Sequence, residues 1–229
     1  MKQSRFLVEM ALCFLAFFLP GYIAQAYEPA GRAVSTSVMI QSIILGVPQF
    51  LLLVYIASLS PESTLESWGF SRFRAADALR IILVLIACFA VFTPFAILVI
   101  ALPKAIGKYL ASGFRWRLAG ISQVPLAVVF GLVAGYREEF FFRAYLLRRM
   151  DQLGLPVALS VIIATLLFSA GHLYQGPLGA ATSAALGVLF AGVYLRTRNL
   201  HVIAVAHGLY NASVLCLSLL GAAPLPSSG

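Results

Sequence analysis

Apolar residues run along this chain in long, nearly unbroken stretches rather than in the one-sided stripes of a water-soluble helix. A helix that crosses a bilayer needs about 20 predominantly apolar residues. Seven segments meet or approach that length: residues 6–27, 38–60, 79–103, 122–147, 155–173, 178–195 and 202–222. Turn formers separate them, including Glu28-Pro29-Ala30-Gly31, Ser60-Pro61, Gly154 with Pro156, and Gln175-Gly176-Pro177. The pattern predicts an all-α, polytopic membrane helix bundle of about seven spans. It leaves no room for a soluble domain. The first segment also has the build of a signal peptide, with Lys2 and Arg5 before the apolar run and Ala24-Gln25-Ala26 after it. On that reading the count falls to six, although the run is long and contains Glu9.

Composition agrees with the pattern. Of 229 residues, 61% are hydrophobic and 10% charged, with a mean hydropathy of +0.95. Soluble domains carry roughly a quarter charged residues. A soluble globular enzyme, a disordered chain and a disulfide scaffold are thereby excluded. The net charge of +8 would suggest nucleic acid in a soluble protein. Here the basic residues lie mostly between apolar runs, where they act as topology signals and headgroup contacts, and no nucleic-acid partner is expected.

With the N-terminus inside, nine Lys and Arg (Lys2, Arg5, Arg72, Arg74, Arg80, Arg148, Arg149, Arg196, Arg198) face five (Arg32, Lys104, Lys108, Arg115, Arg117), which favours that orientation. Residues 104–117 read as an amphipathic segment on the interface. Cys13, Cys88 and Cys216 have no ligand spacing and read as packing residues. Gly131 with Gly135, and Ser183, Gly187 and Ala191, place small residues every four positions, as close helix packing requires.

Ionisable groups inside a span are costly, so each needs a reason. Glu9 lies near the end of its segment and can reach the interface. The anomaly is Arg137-Glu138-Glu139-Phe140-Phe141-Phe142-Arg143, within the fourth apolar segment. Glu139 and Arg143, spaced i, i+4, share a helix face and form a natural ion pair. Glu138 lies about 100° round the helix, outside that pairing. An unpaired carboxylate beside a fixed negative charge should take a proton readily, as a general base must. A charge network that merely ties helices together is the plainer alternative.

The histidines weigh against that alternative. His172 ends Phe168-Ser169-Ala170-Gly171-His172, late in the fifth segment, and His207 shares a helix face with Asn211 in the seventh. Counting from the turns, Glu138 and His172 come to the same depth within roughly 5 Å, whereas His207 and Asn211 are nominally shallower by about 5 to 15 Å. Helix tilt or a protruding helix end must close that gap. His201, in a polar turn with Arg198 and Asn199, reads as an interface residue.

Glu138-Glu139-x-x-x-Arg143, Phe168-x-x-x-His172 and His207-x-x-x-Asn211, in that order on separate helices, resemble the CPBP family, the type II CAAX prenyl endopeptidases and bacteriocin-processing proteins also called the Abi family. The motifs span roughly residues 120–216, so the chain divides into N-terminal helices and interfacial segment (1–119), a core carrying the motifs (120–222) and a short tail (223–229). The resemblance implies a membrane-embedded endopeptidase. In it, the position matching Glu138, assisted by that matching His172, activates water. Those matching His207 and Asn211 bind the oxyanion, and those matching Glu139 and Arg143 organise the site. It also implies a multi-pass protein of a bacterial-type inner membrane, with membrane lipids around it and a membrane protein or a lipidated or secreted peptide as substrate.

The family has also been described as metalloproteases. Glu138, His172 and His207 would be competent Zn²⁺ ligands. There is no HExxH, and Asn211 suits an oxyanion donor better than a zinc ligand, so a metal-independent glutamate mechanism with no cofactor is the favoured expectation. Intramembrane Glu and His residues also serve proton-coupled transporters, but no paired helix interruptions or repeat symmetry accompany them here. A non-catalytic immunity or assembly factor is the third reading.

Overall fold

In a computed structural model of the protein, residues 2–26, 34–60, 64–103, 106 and 117–220 are described. The elements among them are helical: α1 (Lys2–Phe17), α2 (Leu19–Ala26), α3 (Thr36–Ser58), α4 (Ala75–Ala101), α5 (Val124–Glu139), α6 (Leu146–Gln152), α7 (Val157–Ala170), α8 (Gly176–Thr197) and α9 (Leu200–Leu220). A π-helical turn, Phe140–Tyr145, joins α5 to α6 without a break in the helix. The expected interfacial segment 104–117 and the tail 223–229 lie almost wholly outside the described residues.

Among the described residues, five stretches are long and apolar enough to cross a membrane: Ser4–Gln25, Thr36–Ser58, Ala75–Ala101, Leu173–Thr197 and Leu200–Leu220. The protein is a multi-pass, all-α helix bundle. The remaining two of the seven expected spans differ for physical reasons. The fourth segment carries the charged run, and α7 has 14 residues, about 21 Å at 1.5 Å per residue, less than the hydrocarbon layer. The first segment turns at Phe18 but packs as a spanning helix would. Phe18 stacks on Phe141 at 4.5 Å, and Glu9 accepts hydrogen bonds from Tyr145 and Arg149 at 2.6 Å each. Glu9 therefore does not merely reach the interface; its charge is neutralised across the bundle by Arg149.

α3 and α4 are peripheral. α3 buries Met39, Gly46, Leu53 and Ala57, and α4 buries Asp77, Ile81, Val84 and Cys88, each a single stripe at helical spacing. Their other faces present Ile44, Leu51, Ile82 and Ile86 outward. Asp77 is no unpaired charge, because it accepts from the Arg74 backbone N–H at 2.9 Å and from Arg80 at 2.8 Å, capping the start of α4.

The centre of the bundle is the crossing of α5 with α9. A Cβ on Gly131 would run into the Gly208 carbonyl oxygen, and one on Gly135 into that of Ala204. From the other side, a Cβ on Gly208 would stand 2.7 Å from Leu132 Cα. These glycines let two backbones meet with no side chains between them. That approach brings α9 against the charged run, with His207 in contact with Glu139. Cys13 and Cys88 are buried free thiols, and Cys216 is free and partly buried.

Candidate active site

From Phe140 to Tyr145 the chain is closed in on every side: Phe140, Phe141, Phe142, Ala144 and Tyr145 are fully buried and Arg143 is 1% exposed. A π turn packs more residues into each turn than an α-helix does, and such turns recur at functional sites. Here it directly follows the two glutamates.

Glu139 is wholly buried, and the expected pair with Arg143 is present, Nη1 to Oε1 at 3.0 Å. Arg143 is held further by the faces of Phe168, Phe142 and Phe190, at 4.2, 5.7 and 5.6 Å, and by a 3.4 Å hydrogen bond to the Gly187 carbonyl. Gly187 is small for a local reason. A Cβ there would stand 3.3 Å from Arg143 Nη2 and 3.1 Å from Thr165.

One contact that spacing did not predict completes the cluster. His207 Nδ1 lies 2.8 Å from Glu139 Oε1. A carboxylate accepts, so Nδ1 carries the proton and donates. The same oxygen thus takes both Arg143 and His207, while Glu139 Oε2 is buried without a partner among the described residues. The His207 ring stacks on Phe190 at 4.9 Å and meets the edge of Phe168 at 5.8 Å, which leaves its Nε2 directed toward Glu138, 4.0 Å from Oε2. That gap is too long for a direct hydrogen bond and of the size one bridging group fills.

Glu138 differs from the expectation of an unpaired carboxylate. Its Oε1 lies 3.4 Å from Arg137 Nη2, and it stands in the combined field of His207, Arg137, His172 and Arg143. It is 17% exposed where Glu139 is not exposed at all, so of the two carboxylates it is the one that small molecules can reach. Arg137 was legible only as part of the charged run. In the fold it spans three elements, donating to Gln49 at 3.0 Å, lying 5.3 Å over the Phe18 ring and touching Glu138.

His172 falls just beyond α7 rather than within it, in a turn after Gly171. Its Nδ1 donates to the Phe168 carbonyl at 2.9 Å, which puts the ring's proton on Nδ1 and leaves Nε2 with a lone pair in the neutral form. Tyr22, unremarked in the sequence, supports this turn. Its hydroxyl donates to the Leu167 carbonyl at 3.2 Å, and its ring fills the space that a Cβ at Gly171 would need. Asn211 lies one turn beyond His207 on α9, partly accessible and with no hydrogen-bond partner among the described residues. His201, expected in a turn at the interface, is instead in the first turn of α9, 2.9 Å from the Tyr136 hydroxyl and packed on Phe70.

Among the described residues no group of three or more His, Cys, Asp and Glu is arranged to hold a metal ion.

Residues 120–213 match the family model described as Rce1-like, type II CAAX prenyl endopeptidase. That segment is similar to the Rce1-like family, and the match covers less than half of the chain. The matched residues contain every one of the positions just described on α5, the π turn, α7 and α9. At the coarse level, this family supports a CAAX-type endopeptidase working within the membrane. No curated protein and no solved structure matches the chain.

Proposed function

We propose that the protein hydrolyses a peptide bond of a membrane-associated, lipidated or secreted substrate by a metal-independent glutamate mechanism, as a multi-pass enzyme of a bacterial-type inner membrane. Glu138, the accessible carboxylate, takes a proton from water as the oxygen attacks the scissile carbonyl. His172 Nε2 accepts a hydrogen bond from the same water, and the proton taken by Glu138 goes to the leaving amine, directly or by way of His172, as the tetrahedral intermediate collapses and the C–N bond breaks. His207, as an imidazolium that donates Nδ1–H to Glu139 and Nε2–H to the oxyanion, acts there together with the Asn211 amide. His207 costs little reorganisation at the moment of reaction because it is already held by Glu139 and Phe190, and charge that appears only in the transition state is where such donors act.

The observation that carries this reading is the way the two histidines are held. Each is fixed through Nδ1, one by Glu139 and one by the Phe168 carbonyl, so each keeps Nε2 for a reacting group. Glu139 and Arg143 are positioning residues on this account, orienting His207 and keeping the buried charges balanced. A mere ion-pair network between helices has no use for an accessible Glu138 and two oriented imidazoles.

The reading is tested by comparing protein termini in membranes of cells carrying the native chain or Glu138→Ala. One or more termini are expected to disappear in the variant, with the substrate's uncleaved form accumulating. Identical termini, with the variant present in the membrane at the native level, would overturn it. Restoration of cleavage by a divalent metal after chelation would overturn the metal-independent part alone.

A further inference from the structure

A second polar site lies at the end of the bundle formed by the α6–α7 and α8–α9 turns. A cavity of about 220 Å³ opens there, lined by Arg148, Asp151 and Gln152 of α6, Ser160 of α7, and Tyr194 and Arg198 at the end of α8. These residues sit at helix ends, which is interface depth for a spanning bundle.

Its charge balance favours an anion. Two guanidinium groups face one carboxylate. Arg148 is fixed by a hydrogen bond to the Ser67 carbonyl and by the Trp68 ring, 4.6 Å away. Arg198 lies 5.9 Å over the Tyr194 ring and makes no ion pair among the described residues. Tyr194 is within electrostatic reach of both arginines. Tyr194 lines the cavity, and its hydroxyl makes no hydrogen bond among the described residues. A phenolic hydroxyl can donate to an acceptor in such a cavity. Gln152 contributes in the same sense, since its Oε1 accepts from Arg149 at 3.0 Å and its NH₂ is left for another group.

We propose that this cavity binds a phosphate-bearing anion, with Arg148 and Arg198 on its oxygens and Tyr194 donating a further hydrogen bond. Planar guanidinium groups match phosphate oxygens in charge and geometry. The phosphate is that of a phospholipid headgroup or a free one. The site is independent of the proteolytic reading, since none of its residues belongs to the cluster around Glu138.

Trp68 supplies the signal. A Trp116→Phe background leaves it the single indole of the chain, stacked against Arg148 at 4.6 Å. Its emission is followed in the purified full chain as phosphatidylglycerol is titrated in neutral micelles, and separately as sodium phosphate is titrated against sodium chloride of equal ionic strength. A saturable change is expected. Arg198→Gln should weaken it about tenfold, for the loss of a charge-assisted contact. Tyr194→Phe, which removes a single hydroxyl from a buried ring, should weaken it about threefold. Saturation by phosphatidylglycerol alone assigns the site to a headgroup, and saturation by phosphate alone to a free anion. No saturable change in either titration, or the same midpoint in both variants as in the native chain, would overturn the proposal.

Discussion

α4 and the π turn are both apolar helix, and they solve opposite problems. In the most apolar window of α4 only 17% of residues are buried inside the protein, and the side chains left over, such as Ile82 and Ile86, face outward where lipid lies. In the π turn all six residues are buried, one of them an arginine. A lipid-facing helix needs one packing stripe and tolerates much at its other positions. A turn enclosed on all sides has no tolerant position, and a charge placed there must be matched. Glu139, Arg143 and His207 match one another within 3.0 Å, and that matched set is what aims the groups assigned to the chemistry. Hydrophobicity alone does not distinguish the two regions; enclosure does.

The contrast can be broken most forcefully at Arg143. Its replacement by Ala leaves Glu139 as an unbalanced buried charge, a change that typically costs 3–5 kcal/mol, about which thermal unfolding in detergent should report directly. Unfolding unchanged from the native chain would mean that the enclosed charges are not coupled. The next effect is expected at the helix crossing. Gly208→Ala presses a methyl group toward Leu132 Cα at 2.7 Å. Overpacking of this kind costs about 1–3 kcal/mol. It should also impair cleavage, because His207 is the neighbouring residue on α9.

A smaller loss is expected at Tyr136→Phe, which removes the hydroxyl facing His201 Nδ1 and should cost about 0.5–1.5 kcal/mol with cleavage retained. The smallest belongs to the outward face. Leu51→Ala and Ile86→Ala should each change stability by about 0.5 kcal/mol or less, in keeping with substitutions away from packed features. A loss as large as that at Gly208 would show that these faces are packed against something other than lipid.

Much of the bundle was legible from the chain because the signals are long and repetitive. The last span was expected at 202–222 and runs Leu200–Leu220. The pair Glu139–Arg143 was legible because i, i+4 spacing is a local property. What depended on tertiary geometry was not. The π turn has no signature in Phe140-Phe141-Phe142, which suits an α-helix equally well. His207 on Glu139 could not be read from counting, which put His207 too shallow. The contact forms beside the crossing where Gly131, Gly135 and Gly208 let α5 and α9 touch. Arg137 looked like one charge in a run, but Gln49 and Phe18, far away in sequence, fix its position. Nothing in the sequence named Tyr22 as the residue whose ring occupies the space beside Gly171, in the turn before His172.

The central claim is that the accessible glutamate of this enclosed cluster is the base for peptide-bond hydrolysis. Glu138→Gln tests it most directly, since the change keeps the size of the side chain and removes its capacity to take the proton. With purified native and variant chains reconstituted in the same lipid and given a substrate identified from the altered termini, the account predicts a fall in kcat on the order of 10²–10⁴-fold, with thermal unfolding near the native value. Cleavage by the folded Glu138→Gln protein at the native rate would contradict it.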